Sequence, residues 1–441
     1  MDRISQYTAK IRQTVDNYFQ RSDTPGILQL CGKSGMGKST VAQHCVKEFD
    51  CMYFSFRHME AELAPRIFLP GCNTWRDFFS QIQKTKKRPV IFFDDVDDRN
   101  DKETFWEALE AFLNGSVYVV LICRKELDLP YESQMLTMKA VTVQELLEEY
   151  PSLGYVNALR LTAITNGIPA LLSQFDSSKG YEENLRMFFT PGSQYLRYAE
   201  DYLHREFRSP ESYNTLLYGM AIGHNRISQL ADFSGYPKNK CDKYLKALHS
   251  VGLIEQRQKR DDTGKIRTHY YPKGGYFKIW YRLYFPRQHL FHKELSDEDL
   301  QQLIQDMDDC ATSVLFRQIC FRWLKAKSYR LFSEDFLLPE NPLQHDILLN
   351  GETLDFIQEG KSRTFYAKIW DSCTSGFPGY AFEKMEDATT RRRPFYDNEY
   401  ALFSMRRVSA YCDKLRSFEN VQVFELRTMW GNKKDHLFDM D

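Results

Sequence analysis

The feature that most constrains the fold is a glycine-rich run between an apolar segment and an amphipathic one. Residues 32–39 read Gly-Lys-Ser-Gly-Met-Gly-Lys-Ser and directly follow the apolar residues 27–31. The three glycines allow backbone N–H groups to point at a bound anion, and a helix that begins here adds its positive dipole end. This pattern after an apolar strand predicts a strand–loop–helix unit that binds nucleotide phosphates.

We predict ATP and Mg²⁺ as the cofactors of this loop. In this motif Lys38 reaches the β and γ phosphates, and the hydroxyl of Ser39 is a ligand of Mg²⁺. The alternative is a coincidental glycine-rich turn. The predicted nucleotide-binding residues of the loop are Gly32, Lys33, Ser34, Gly35, Met36, Gly37, Lys38, Ser39 and Thr40.

A second part of the site is predicted where another apolar run ends in two aspartates. Residues 90–93 are Val-Ile-Phe-Phe, and Asp94 and Asp95 follow. We expect Asp94 to hold Mg²⁺ through water and Asp95 to act as a catalytic residue that orients or deprotonates the attacking water. Asp95 is about one methylene shorter than a glutamate, which indicates slow turnover. The alternative is a solvated acidic turn over residues 94–98.

Strand-like and helix-like segments alternate from residue 26 to about residue 137. Such alternation predicts an α/β fold in which helices cover a parallel sheet. The predicted strands are residues 27–31, 52–56, 90–93 and 117–122, and the predicted helices are 39–48, 73–83 and 102–113.

Length and composition predict a folded protein of several domains. The chain has 441 residues, enough for about three domains. Its 59 Lys and Arg against 60 Asp and Glu give no overall sign of a nucleic-acid or membrane partner. Ten scattered cysteines favour reduced thiols over a metal site. Because no run is apolar enough for a signal or a membrane span, we expect a cytoplasmic protein.

Changes of pattern along the chain divide it into four predicted domains. Strand signals stop after the first, helices and breaks fill the second, and a helix–helix–helix–hairpin order in the third is typical of a winged helix-turn-helix. Strand-like residues return in the fourth, where Asn350-Gly351 favours a hairpin. The domains are a P-loop ATPase core (1–140), a helical lid (141–208), a winged helix-turn-helix (209–290) and a smaller α/β domain (291–441).

With the phosphate loop and the acidic pair, two further elements produce a family resemblance over residues 26 to about 175. Arg124 follows the fourth predicted strand, and Gly167-Ile168-Pro169 interrupts the lid helices. The chain here resembles the STAND class of signal-transducing, AAA-like P-loop ATPases. The resemblance implies that Arg124 senses the γ phosphate as a catalytic residue and that Pro169 packs near the nucleotide base. The alternative for Gly167 and Pro169 is a simple helix break.

Basic residues in the third domain make DNA or RNA a candidate partner. A lysine-rich helix and the hairpin after it would contact phosphates with little sequence selectivity. The alternative is a latch that packs on the nucleotide domain, as winged helices of the STAND class commonly do. The residues concerned are Lys238, Lys240, Lys243 and Lys246 on the helix, and Arg257, Lys259, Arg260, Lys265 and Arg267 on the hairpin.

The fourth domain resembles the PD-(D/E)XK nuclease superfamily. The resemblance rests on Asp346, Glu359 and Lys361, and it implies that the two carboxylates bind a divalent cation while the lysine steadies the attacking water. A second register, Asp355 with Tyr366-Ala367-Lys368, lacks the glutamate and implies an inactive domain. Arg317 stands where relatives often have a glutamate. An ordinary polar hairpin is the remaining alternative.

Together these segments predict an ATP-dependent switch that controls a winged helix and a nuclease-like module acting on nucleic acid. The alternative is a non-nuclease ATP-dependent signalling scaffold whose C-terminal domain binds a protein. Homo-oligomerisation is also a candidate property. Arg391, Arg392 and Arg393 form a basic run that is either a solvated loop or a contact to a nucleic-acid backbone.

Overall fold

The computed structural model describes residues 3–20, 25–57, 59–98, 102–113, 117–260, 266–293, 295–331, 344–360, 363–390 and 397–429. The chain separates into two compact units. The first comprises Met1–Ala140 with Ile168–Ala170, and the second comprises Val141–Gly167 with Leu171–Met440.

The first unit is built around a five-stranded parallel sheet in the order β2-β3-β4-β1-β5. The central strands β1, β3 and β4 are buried along their whole length, as expected for parallel strands that are covered on both faces. Strand β5 was missed in the sequence because it is short and lies at the edge, where alternate residues face solvent. The strands are β1 (Ile27–Cys31), β2 (Met52–Ser55), β3 (Val90–Asp94), β4 (Tyr118–Cys123) and β5 (Gln134–Thr137).

An aromatic core joins the helices of the first unit to the sheet. The rings of Trp75 and Phe105 lie 4.9 Å apart, and both contact Phe93 of β3. Helix α4 starts at Thr74, whose side chain accepts from the N–H of Asp77 in a capping box. The helices are α1 (Arg3–Gln20), α2 (Lys38–Glu48), α3 (Ala64–Phe68), α4 (Trp75–Thr85) and α5 (Lys102–Glu110).

The second unit begins with the helices predicted as a lid. Helix α7 ends at Asn166, which takes the left-handed conformation with φ of 53°. An ion pair between Arg160 of this helix and Asp308 fixes it to later helices of the same unit. These helices are α6 (Val143–Glu149), α7 (Gly154–Thr165), α8 (Pro169–Leu172), α9 (Tyr181–Phe188) and α10 (Gln194–Glu206). The first two residues of α8, Pro169 and Ala170, belong to the first unit.

Three helices and an antiparallel hairpin come next, in the order predicted from the sequence. Leu245 and Leu248 are buried, whereas Lys243 and Lys246 of the same helix are exposed. Lys265 lies outside the described residues. The elements are α11 (Glu211–Ala221), α12 (Ile227–Ser234), α13 (Lys238–Ser250), β6 (Ile254–Arg260) and β7 (Ile266–Pro272).

The helices that follow contain two π-helical segments. The first, Trp280–Tyr284, extends α14, and the second, Asp308–Thr312, joins α15 to α16. None of the helices in the described ranges has a span long and apolar enough to cross a membrane. The helices are α14 (Gly275–Ile279), α15 (Asp297–Met307) and α16 (Ser313–Leu331).

The chain ends in a mixed five-stranded sheet in the order β12-β11-β10-β9-β8. Strands β8, β9 and β10 form an antiparallel meander, whereas β10, β11 and β12 are parallel. Asn350 and Gly351 both have positive φ, as the predicted two-residue hairpin turn requires. The elements are β8 (Gln344–Leu349), β9 (Glu352–Glu359), β10 (Arg363–Trp370), α17 (Gly379–Thr390), β11 (Asp397–Ser404), α18 (Ala410–Lys414), β12 (Val421–Glu425) and α19 (Leu426–Met429).

Candidate functional site

The glycine-rich loop lies at the carboxyl end of β1 and leads directly into α2. Gly35 and Gly37 have φ of 81° and 91°, a conformation that side chains disfavour. A Cβ at Gly32 would lie 3.0 Å from the carbonyl oxygen of Met138, so this position also favours glycine. The backbone geometry that a phosphate cradle requires is therefore present at the positions the motif predicted.

The ammonium group of Lys38 lies across this loop. Its Nζ donates to the carbonyl oxygens of Gly32 and Lys33, the latter at 3.1 Å. Burial lowers the pKa of Lys38, while the negative charges of Asp94 and Asp97 act in the opposite direction. The lysine is thus held at the loop and within the field of two carboxylates.

Asp94 is buried at the end of β3 and accepts hydrogen bonds from two neutral donors. The hydroxyl of Tyr53 donates to Oδ2 at 2.6 Å, and the N–H of Asp95 donates to Oδ1 at 2.8 Å. Burial, followed by the Asp94 bond, raises the pKa of Tyr53, whereas a hydrogen bond from Ser39 lowers it. Tyr53 therefore connects Ser39 and Asp94, the two predicted Mg²⁺ ligands. The sequence interpretation missed Tyr53, although parallel pairing of β2 with β3 is what brings it there.

Asp95 adopts a left-handed conformation with φ of 55°. A non-glycine residue in this conformation costs about 1 kcal/mol or more, and aspartate tolerates it better than most. The hydroxyl of Ser55 donates to Oδ2 of Asp95 at 3.4 Å. The left-handed turn at Asp95 follows the last residue of β3, so the side chains of Asp94 and Asp95 have different surroundings.

Arg124 follows β4, the strand between β1 and β3. The N–H of Gly32 donates to the carbonyl of Cys123 at 3.2 Å, so Arg124 comes next to the start of the loop. Asp97 accepts from the Arg124 N–H at 2.7 Å and lies 3.5 Å from its Nε. Asp97 was not singled out in the sequence. Its place within the acidic run 94–98 was the available signal.

The Gly-x-Pro element is close to the loop within the first unit. The N–H of Ala170, one residue after Pro169, donates to the carbonyl of Gly35 at 3.0 Å. In the second unit, Gly167 has φ of 63°, and a Cβ there would lie 2.2 Å from the carbonyl of Val141. The element is therefore built into the structure around the loop as well as interrupting the helices.

Two of the residues predicted as a nuclease site, Asp346 and Glu359, are separated along their strands. On β8, His345 pairs with Phe356 and Ile347 with Leu354, which puts Asp346 at the level of Asp355. Glu359 lies four residues farther along β9, about 13 Å away at the usual rise of a strand. This register corrects the expectation that Asp346 and Glu359 meet across the hairpin. The Asp346 side chain and all of Lys361 lie outside the described part of the structure.

The second register predicted for the fourth domain corresponds to an ion pair between the buried Asp355 and the partly exposed Arg317. Asp355 accepts from the N–H of Ile369 at 2.6 Å and from Arg317, which also donates to Asp371 at 2.7 Å. Burial raises the pKa of Asp355, and the positive charge of Arg317 opposes that rise. Tyr366, at the position of the missing glutamate, is buried. Lys368 donates to Glu352 and to the carbonyl of Thr353.

Comparison with known proteins identifies the first part of the chain. Residues 28–136 match the AAA family, the ATPase family associated with various cellular activities. The chain therefore contains an AAA-type P-loop ATPase domain. The matched residues include the phosphate loop, the acidic pair and almost all of the parallel sheet.

One curated relative and two solved structures are similar over longer ranges. An uncharacterized protein of Methanocaldococcus jannaschii is 20% identical over 58% of this chain, which spans 64% of the length of that relative. A Walker-type ATPase of Pyrococcus abyssi has a TM-score of 0.41 with 14% identity, over 64% of this chain and 96% of that one. A STAND protein of Pyrococcus horikoshii with a tetratricopeptide repeat sensor has a TM-score of 0.29 with 14% identity, over 72% and 50%.

Proposed function

We propose that the chain is an ATP-binding and ATP-hydrolysing molecular switch. The observation that carries this proposal is the arrangement at the carboxyl ends of β1 and β3, where Lys38 lies across the loop in the field of Asp94 and Tyr53 of β2 donates to Asp94. A buried carboxylate in the field of a lysine, together with the serine hydroxyl at the start of α2, offers the groups that Mg²⁺ and a triphosphate require.

The roles of the individual residues follow from their positions. Lys38 and the loop N–H groups would bind the β and γ phosphates, and Ser39 and Asp94 would hold Mg²⁺, which supplies charge neutralisation when bound. Asp95 would orient or deprotonate water. Arg124, held by Asp97, would respond to the γ phosphate, and Pro169 would lie near the base.

We propose that holding ATP matters more than rapid turnover. Asp95 carries a shorter side chain than glutamate and is fixed by a left-handed backbone, so its carboxylate has little freedom to approach a water molecule. The N–H of Ala170 donates to the carbonyl of Gly35, so a change in the phosphate loop would act directly on the chain that follows the lid helix α7. Slow hydrolysis would then set the lifetime of one conformation.

For the C-terminal sheet, a specific observation favours a binding module over a nuclease. Arg317 neutralises Asp355, and Tyr366 replaces the glutamate of the second register.

The exposed Lys238 and Lys243 of α13 support nucleic acid as a candidate partner, whereas Lys246 is engaged by Asp242 at 2.7 Å. Contact with a protein partner is the competing function of this part of the chain.

Calorimetric titration with Mg²⁺-ATP tests the nucleotide site. Lys38→Ala should weaken ATP binding at least about a hundredfold, because a charge-assisted contact to two phosphates is lost. Lys47→Ala, an exposed position on the same helix, is the matched control and should bind as the natural chain does. ATP binding within twofold of normal in Lys38→Ala would contradict the assignment.

A nuclease assay tests the C-terminal proposal. We expect no cleavage of plasmid or single-stranded DNA or of RNA with Mg²⁺ or Mn²⁺. Cleavage that disappears in Lys368→Ala would contradict the binding-module proposal and support the second register as an active site. Cleavage lost in Glu359→Ala or Lys361→Ala would support the first.

A further inference from the structure

The second unit contains a cavity of about 490 Å³ that none of the functions above uses. It lies where the end of α7, the β6–β7 hairpin, α14 with its π-helical extension, and the start of α16 come together. This volume is within the range of small-molecule sites, which run from roughly 300 to 1,000 Å³. The cavity is therefore large enough for an organic ligand.

The charged side chains that line the cavity are three cations and one anion. Arg257 is paired with Glu255 and lies over the ring of Tyr271, 5.1 Å from its centroid. Lys278 donates to the carbonyl of Cys310 at 2.8 Å and has no other hydrogen bond to a described residue. The exposed Arg282 has neither a hydrogen bond nor an ion pair with any residue in the described ranges. The lining thus keeps two cations without a counter-ion among those residues.

Crowding of these cations has an electrostatic effect on the lysine. Burial is the main cause that lowers the pKa of Lys278, and the positive charges of Arg282 and Arg257 lower it further. Like charges brought together in a partly buried site are unfavourable unless an anion joins them. A bound anion would relieve this repulsion.

The walls of the cavity are irregular helices held at close range. Arg282 belongs to one π-helical segment and Cys310 to the other. Such segments are rare in proteins overall, but those that occur are often found at functional sites. A Cβ at Gly275 would lie 2.1 Å from the carbonyl of Ala163, so the backbones of α14 and α7 touch there. Asn166 accepts from the N–H of Tyr276 at 3.1 Å, which fixes the same junction.

Three apolar side chains of the lining form what we call its apolar wall. Ile222 is 43% exposed although it lines a concave surface, and Val314 and Leu315 of α16 extend the wall. Exposed apolar area inside a concave surface is available to the body of a ligand. The lining therefore offers cations for an anionic group and apolar side chains for the body of a ligand.

We propose that this cavity binds a small organic anion that carries a phosphate, sulfonate or carboxylate group on an aromatic or otherwise flat body. The anionic group contacts Lys278 and Arg282, and the body packs on Ile222, Val314 and Leu315. Binding does not depend on the proposed ATPase function, because the lining residues are separate from the phosphate loop.

Calorimetric titration of the full chain with 1-naphthyl phosphate and 1-naphthalenesulfonate tests the proposal, with neutral 1-naphthol as the comparison probe. Both anions should bind one per chain, and the neutral compound at least about tenfold more weakly. Arg282→Gln should weaken the anions about tenfold. Arg287→Gln makes the same change at a cation outside the cavity lining and should leave binding unchanged.

Two further variants distinguish binding in this cavity from binding at the phosphate loop or on the protein surface. Lys38→Ala should bind both anions normally, because the phosphate loop is not the site. Ile222→Trp, which fills the apolar wall at an exposed position, should weaken them at least fivefold. Equal binding in Arg282→Gln and Arg287→Gln, loss of binding in Lys38→Ala, or the absence of saturable binding of either naphthyl anion would overturn the proposal.

Discussion

The two sheets of this protein each bury an aspartate on the strand next to one edge, and the two carboxylates are stabilised in opposite ways. Asp94 in the first unit accepts from a tyrosine hydroxyl and a backbone N–H, both neutral. Asp355 in the C-terminal sheet accepts from a backbone N–H and from the guanidinium of Arg317. The first is held by neutral donors, whereas the second is already paired with a cation.

The two sheets are alike in carrying a buried aspartate and differ in what that aspartate contacts. Both units present acidic residues on the strands of an α/β sheet, and sequence patterns pointed to metal chemistry at both. The partner of each carboxylate distinguishes the two sheets as candidate metal sites. In the C-terminal sheet a guanidinium fixed by two aspartates occupies the position that a metal ion would need. Replacing single groups in each sheet can test the comparison.

The same substitution in the two sheets should have the most unequal effect on ATP hydrolysis. Asp94→Asn removes the charge that would hold Mg²⁺, so kcat should fall at least about a hundredfold. Asp355→Asn, the matched control, should leave kcat within twofold. Steady-state phosphate release measures both. Comparable losses in the two variants would show that the carboxylates do not have separate roles.

Asp95→Asn should separate binding from turnover. Asparagine tolerates the left-handed conformation of this position, so the fold and ATP affinity should stay within threefold of normal. Hydrolysis should fall about a hundredfold or more, as expected when a group that acts on the water is lost. Single-turnover measurements with calorimetry test this, and unchanged hydrolysis would remove Asp95 from catalysis.

Arg317→Met should expose the cost of the second arrangement. Breaking a fully buried pair costs about 3–5 kcal/mol, but Arg317 is 41% exposed, so we expect about 2 kcal/mol at neutral pH from urea unfolding. The double variant Arg317→Met with Asp355→Asn should recover most of that loss. No loss in the single variant would mean that solvent already screens the pair.

The pH dependence of this variant has a defined sign. Burial raises the folded-state pKa of Asp355 above its ordinary value of 3.8, so the folded state binds more protons between those two values. Stability contributed by this group therefore rises as pH falls through that window. Removing Arg317 raises the pKa further, so the deficit of Arg317→Met should shrink as the pH is lowered from neutrality toward about 5.

The sequence predicted the parts of the fold that depend on local pattern. The strands of the first sheet are apolar runs that only burial on both faces explains, and the phosphate loop has glycines where its backbone needs them. Edge strand β5 escaped because a half-exposed four-residue strand has little pattern. Tyr53 and Asp97 were also missed, since each reaches the site through a contact with a residue that is distant in the sequence.

Side-chain partners in the C-terminal sheet were the hardest to predict. A spacing between acidic residues does not fix which strand residues lie opposite each other, and the actual pairing separates Asp346 from Glu359. Arg317 was noticed in the sequence as a departure from the nuclease pattern. Its contacts with Asp355 and Asp371 required the packing of α16 on the sheet, which no local pattern contains.

The smallest expected effect comes from Tyr53→Phe, which changes the surroundings of Asp94 and leaves its charge intact. Loss of the 2.6 Å hydrogen bond should raise the Mg²⁺ concentration needed for half-maximal hydrolysis by roughly three- to tenfold, about 1 kcal/mol, because Asp94 becomes less firmly oriented. Tyr131→Phe is a matched control, since its hydroxyl donates to the Trp106 carbonyl at 2.8 Å away from Asp94. Equal Mg²⁺ dependence in the two variants would mean that Tyr53 only fills space. The neutral donor to Asp94 would then not be the reason that this sheet, unlike the C-terminal one, suits a cation.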